Sequence, residues 1–134
     1  MPHLEASGAG AIVNVASVQA IAAQRGVVAY STSKGGVLAL TRAIAVDHAP
    51  LVRANALCPG SVDTPMLRWA ADRFGKGDPD GAIADWGKLH PMGRVAQPEE
   101  VAEAAVFLAS PAASFITGAS LLVDGGMLSR IGGT

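Results

Sequence analysis

An α/β fold built on a parallel sheet is the architecture this sequence predicts, and three observations predict it. Short apolar runs bounded by Gly, Pro and polar residues recur at 10–17, 52–58 and 119–124, with helical patterns between them. The runs are continuous rather than alternating, the pattern of strands buried on both faces. Finally, the chain is rich in alanine and carries 16 glycines while aromatic residues reach only 4%, which suits close packing of helices on a sheet.

The first strand reads Gly10-Ala11-Ile12-Val13-Asn14-Val15-Ala16-Ser17. From about residue 28 to residue 49 the apolar positions Val37, Leu38, Leu40, Ile44 and Ala45 recur at helical spacing, and Pro50 ends the run. Val52 to Cys58 forms the second strand, stopped by the Pro59-Gly60 turn. Residues 64–89 hold short helical patterns broken by Gly75, Gly77, Pro79 and Gly81, with charges scattered throughout, and read as an exposed, mobile excursion with the makings of a lid. Pro98-Glu99-Glu100 opens another helix, because Pro suits the first turn and carboxylates suit the positive end of the helix dipole. Val101, Ala105 and Leu108 give it an apolar face, and Ser110-Pro111 stops it. The third strand, Ala119 to Asp124, ends at Gly125-Gly126. This order requires a parallel sheet with right-handed crossovers, and the chain contains no internal repeat.

Composition removes several function classes. Lys+Arg number 10 against Asp+Glu 11, for a net charge of -1, so no basic block exists to neutralise nucleic-acid phosphates or to hold an anionic membrane surface. The uncharged stretches 6–24 and 104–123 are not membrane spans: Asn14, Ser17, Gln19 and Gln24 interrupt one, Ser110-Pro111 and Thr117-Gly118 the other. Met1 to Glu5 shows no basic segment of a signal peptide. A lone cysteine, Cys58, makes no internal disulfide and fits a reducing cytoplasm; inside an apparent strand it reads as a small core residue. His3, His48 and His90 lie far apart without carboxylate or thiol at ligand spacing, so no metal is expected. Gly8-Ala9-Gly10 reads as a plain loop, Asp63 and Asp124-Gly125-Gly126 as turn formers. Trp69 and Trp86 either touch a substrate or cover apolar surface.

The chemistry concentrates at three residues. Tyr30 and Lys34 are four apart near the start of the long helix, so they share a face, and an ammonium there stabilises a phenolate. Ser17 ends the first strand, at the edge where ligands bind in open α/β sheets. Such helical pairs are common, and Tyr-x-x-x-Lys alone does not decide a function.

Four ordered motifs do more: Ser17, Tyr30-Ser31-Thr32-Ser33-Lys34, Asn55-Ala56-Leu57-Cys58-Pro59-Gly60-Ser61-Val62-Asp63-Thr64-Pro65, and Thr117-Gly118 followed by Val123-Asp124-Gly125-Gly126. Together they resemble the short-chain dehydrogenase/reductase family along essentially the whole chain. The resemblance implies an NAD- or NADP-dependent oxidoreductase that interconverts an alcohol and a carbonyl on a small-molecule substrate. It implies Tyr30 as catalytic acid/base, Ser17 as the hydroxyl that orients the substrate oxygen, and Lys34 as phenolate-stabilising cation and ribose partner. Tyr30, Lys34, Pro59, Gly60, Val62 and Thr64 would contact the cofactor, and 64–97 would be the substrate loop. Ala16 departs from the first serine frequent in the family, while Ser17 keeps the functional position. A homo-oligomer joined through the long helix and the carboxy-terminal strand is implied too.

The family's Gly-rich phosphate turn, its ribose-reading residue and its asparagines have no counterpart in 1–134. Residues 1–6 resemble the end of the helix that precedes the serine strand. The expectation is therefore a partial doubly wound Rossmann-type sheet of three strands with crossover helices, its amino-terminal half of roughly 100 residues missing. The alternative is a truncated, catalytically inactive interaction module or subunit lacking the dinucleotide phosphate site.

Overall fold

The computed structural model describes residues 1–130. Its elements in chain order are α1 (Pro2–Ala6), β1 (Gly10–Val15), α2 (Val28–Asp47), β2 (Val52–Pro59), α3 (Pro65–Phe74), α4 (Pro79–Gly87), α5 (Pro98–Ala109) and β3 (Ser120–Val123). Short 3-10 turns follow β1, α5 and β3. The three strands form one parallel sheet in the order β1-β2-β3, with Gly10 opposite Val52 and Val15 opposite Leu57, then Ala56 opposite Ser120 and Pro59 opposite Val123. The α/β expectation and the partial Rossmann-type sheet are what the chain forms.

Central β2 organises the core because its side chains alternate between faces. Ala56 and Cys58 join Ala16 and Leu38 of α2 in one buried cluster. Leu57 joins Leu108 of α5 and Ala113 in the other, with Val13, Val101, Ala105 and Val123 against them. One helix thus covers each face. The small residues Ala54 and Ala56, both fully buried, bring helix and sheet together, as the alanine-rich composition leads one to expect.

Two polar residues on β2 are satisfied by the α5 side. The Arg53 guanidinium donates to the carbonyls of Leu108 at 2.8 Å and Ser110 at 3.1 Å, closing the carboxyl end of α5 with a cation where the helix dipole favours one. Buried Asn55 donates from Nδ2 to the Ile116 carbonyl at 2.8 Å and accepts the Ala119 amide at 3.0 Å. Thr117 Oγ1 accepts the Ala54 amide. These bonds hold 116–119, the lead-in to β3, against β2.

The structure refines several expectations. Of the apolar positions that mark the long helix, Leu40 is 54% exposed, while Leu38, Thr41 and Ala45 are the buried positions of α2. Gly10 opens β1, where the sequence starts the first strand, and an added Cβ there would stand 3.0 Å from both Leu4 and Val52. Residues 64–89, read as an exposed excursion with short helical patterns, form two helices packed on each other that are exposed over most of their length, with Ala71 fully buried; His90, just beyond them, is nearly so. The punctuation of the two helices serves as caps: Thr64 Oγ1 accepts the Leu67 amide, and Asp78 Oδ1 accepts the Gly81 amide. Among the described residues, no helix is long and apolar enough to cross a membrane, and no group of three or more His, Cys, Asp or Glu is placed to hold a metal ion.

Candidate active site

The parallel strands all point their carboxyl ends the same way, and the expected site residues follow those ends. β1 stops at Val15, two residues before Ser17. Ser17, buried and with extended backbone, caps the 3-10 turn that follows: its Oγ accepts the Gln19 amide at 3.1 Å. That bond uses a lone pair and leaves the hydroxyl proton free to donate.

Tyr30 sits in the first turn of α2, 37% exposed. Lys34, one turn on, places its ammonium 5.6 Å from the Tyr30 ring centroid and donates to the Val15 carbonyl at 3.0 Å. The structure therefore joins Tyr30 and Lys34 on one helix face, and Lys34 to the strand end beside Ser17. The loop between them is tied down as well: Gln19 accepts weakly from Ser31 Oγ at 3.4 Å and donates to Gln24.

The turn after β2 supplies the other expected group. The Gly60 amide donates to the Val123 carbonyl at 3.1 Å. The Ser61 amide donates to Nε2 of His90 at 3.1 Å, and the Ser61 carbonyl accepts from Ala96 at 2.9 Å. Val62 bridges Ala96 in parallel, and the Asp63 amide donates to the Ala96 carbonyl. Among the described residues the Val62 amide donates to no protein acceptor. Thr64 Oγ1 divides its bonding between the Val62 carbonyl and the start of α3.

Asp63 turns out not to shape the turn but to pair with Arg68, Oδ2 to Nη2 at 2.7 Å. Asp124 does form one, accepting the amides of Gly126 and Leu128 where Gly125 and Gly126 have φ of +56° and +83°. Cys58 is fully buried, and burial first, then nearby Asp124, pushes its thiol pKa up, against a backbone hydrogen bond at Ser17 that lowers it. It is a core residue, not a nucleophile. Trp69 is exposed and meets Phe74 edge-on at 6.3 Å, with Arg73 over both rings.

Sequence reasoning missed His90. It is 3% exposed, its Nδ1 lies 3.0 Å from the Trp86 carbonyl and its Nε2 faces the Ser61 amide. No local pattern announces a partner 29 residues away. Arg53 and Asn55 could have been found: polar residues inside a strand buried on both faces require partners.

Comparison with known proteins extends the picture. A family model described as enoyl-(acyl carrier protein) reductase matches residues 1–128. The chain is 47% identical over 125 residues to a cis-4-hydroxycyclohexanecarboxylate dehydrogenase of Sinomonas cyclohexanicum, covering 92% of this chain and 47% of that protein. It is 41% identical to a 2-(R)-hydroxypropyl-CoM dehydrogenase of Xanthobacter autotrophicus, covering 93% of this chain and 48% of the relative. Among solved structures, the ligand-free aldohexose dehydrogenase of Thermoplasma acidophilum superposes with a TM-score of 0.96 at 46% identity, over 99% of this chain and 53% of that one. The chain spans about half the length of the curated relatives it matches.

Proposed function

Because the chain belongs to the short-chain dehydrogenase/reductase family, we propose that it carries the proton-handling and nicotinamide-side residues of an NAD(P)-dependent oxidoreductase that interconverts an alcohol and a carbonyl. One observation carries the reading: Lys34 stands 5.6 Å from the Tyr30 ring while bonded to the strand end beside Ser17.

The residues present fit a nicotinamide cofactor. The Lys34 ammonium has three protons and donates one bond within the protein, to Val15, leaving donors for ribose hydroxyls. The Val62 amide, without a protein acceptor among the described residues, is available to an amide carbonyl. A bound nicotinamide supplies the hydride exchange at the substrate carbon. The chain's residues manage the oxygen. The Ser17 hydroxyl donates to the substrate oxygen and orients it. Tyr30 Oη gives that oxygen a proton in the reducing direction and takes it back in the oxidising one, while Lys34 stabilises the phenolate that results. The substrate is a small alcohol or ketone admitted past α3 and α4. The lone buried Cys58 suits a reducing, cytoplasmic setting.

The test is Tyr30→Phe in the full-length protein, assayed with NADH and NADPH against a panel of ketones and secondary alcohols. Turnover should fall by about 10²–10⁴-fold; unchanged turnover overturns the assignment. Association of chains through α2 and β3 belongs to the same reading, supported by exposed Leu40, Val46, Leu121 and Leu122. A monomer by light scattering would remove it.

A second reading, an interaction module or subunit without turnover, is favoured by the position of β1 at the edge of the sheet. Micromolar binding of NADH or NADPH to this chain by calorimetry would count against it.

A further inference from the structure

His90 joins two parts of the molecule that the chain separates. Its ring is buried, and each nitrogen has one backbone partner of opposite kind: Nδ1 lies 3.0 Å from the Trp86 carbonyl and Nε2 lies 3.1 Å from the Ser61 amide nitrogen. A carbonyl only accepts and an amide N–H only donates, so the bonds assign the tautomer: proton on Nδ1, lone pair on Nε2. The Nε2–Cδ2 edge of the ring also packs against Gly60, where an added Cβ would come within 2.6 Å of Nε2. Gly60 is glycine for want of room rather than for its torsion, since its φ is not positive.

We propose that His90 is a positioning residue for the 60–62 turn, fixing the backbone that meets the nicotinamide and so tying that backbone to the α4 end of the substrate segment. The inference rests on the reading of Pro59, Gly60, Val62 and Thr64 as cofactor-lining residues. Its physical content is that the Ser61 amide is held from one side by His90 while the Ser61 carbonyl is held by Ala96. With both Ser61 groups engaged, the adjacent Val62 amide, which donates to no protein acceptor among the described residues, is held with its donor free for a cofactor amide. A shift of the α4 end moves the His90 ring, and the ring moves the turn.

Two substitutions separate the ends of the brace. In His90→Gln, Oε1 reaches the place of Nε2 and keeps an acceptor for Ser61 while losing the bond to Trp86. In His90→Asn, Nδ2 takes the place of Nδ1 and keeps the Trp86 bond while leaving the Ser61 amide without an acceptor. Amide hydrogen exchange at Ser61 and Val62, and Kd and KM for NADH and NADPH, are measured on the intact protein beside wild type and Tyr30→Phe. In His90→Asn, Ser61 exchange should rise by about tenfold, the size of one net hydrogen bond, and cofactor Kd and KM should rise with it while kcat changes little. His90→Gln should recover most of both.

Equal effects of the two variants, or none, overturn the proposal and show a residue that only fills space. Faster Ser61 exchange with unchanged cofactor affinity, in a protein whose turnover Tyr30→Phe abolishes, overturns the positioning role and leaves the oxidoreductase reading standing. If wild type neither binds nor turns over either cofactor, both readings fall.

Discussion

The Lys34 ammonium donates to the Val15 carbonyl at 3.0 Å, joining the second turn of α2 to the last residue of β1. A flexible four-carbon stem is thereby anchored at its tip, and the charge is held beside Tyr30 instead of sweeping through solvent. Lys34→Met removes both anchor and charge and should lower kcat in the intact protein by about 10²-fold. Lys34→Arg keeps the charge but not the compact ammonium, and should recover only part of the rate in steady-state kinetics.

Asn55 is the buried polar link between β2 and the approach to β3. Asn55→Leu keeps the branched side-chain shape while leaving the Ala119 amide without a partner and the Ile116 carbonyl with only the 3.4 Å bond from Arg53. The loss should be about 2 kcal/mol or more, read from urea unfolding midpoints. A change within experimental error would mean that water replaces both bonds.

How far such features can be read in advance depends on whether their cause is local. α5 was fully legible because Pro98, the first-turn carboxylates and the spacing of Val101, Ala105 and Leu108 act within one helix. The parallel sheet was legible because buried strands must be apolar on both faces, and Tyr30 with Lys34 because four residues make one helical turn. The exposure of Leu40 is not legible, since periodicity marks a helix without saying which of its apolar residues anything covers. In residues 64–89 the helical patterns are legible but their packing is not, because the glycines and prolines there mark caps as well as breaks. His90 stayed hidden for a different reason: its partner Ser61 becomes a neighbour only after the chain returns to the sheet.

Acid should act on a defined ion pair. Arg94 grips both oxygens of Glu100 at 2.7 Å and the Gln97 amide donates to the same carboxylate, bonds that hold the Glu100 pKa down at about 2, against 4.5 as the ordinary value. A carboxyl depressed on folding contributes stability above its unfolded pKa and loses it as pH falls toward the folded one. Wild type should therefore exceed Glu100→Gln in urea midpoint at pH 6, and the difference should shrink between pH 4.5 and pH 2. A gap independent of pH would assign the effect to packing alone. Both side chains are well exposed, so the effect is small and falls further in salt.

Cys58 offers a reporter of global opening. Burial raises its thiol pKa above 9.0 and seals it from solvent, so thiol reagents at pH 8 should label it only through unfolding. Labelling should become fast in denaturant, and rapid labelling of the native protein would contradict the packing of β2 against α2.

Ala96 meets Val62 at the neck of the excursion, so α3 and α4 leave and rejoin the sheet through nearly the same point. A segment with adjoining ends can be exchanged like a cassette, because the cost of closing a loop grows only slowly with its length. Donor segments of different length, grafted between residues 63 and 95, would leave the strand register and the Tyr30–Lys34 face untouched. Diversification of what the scaffold accepts can proceed at that one junction, with His90 as the residue each graft would have to keep.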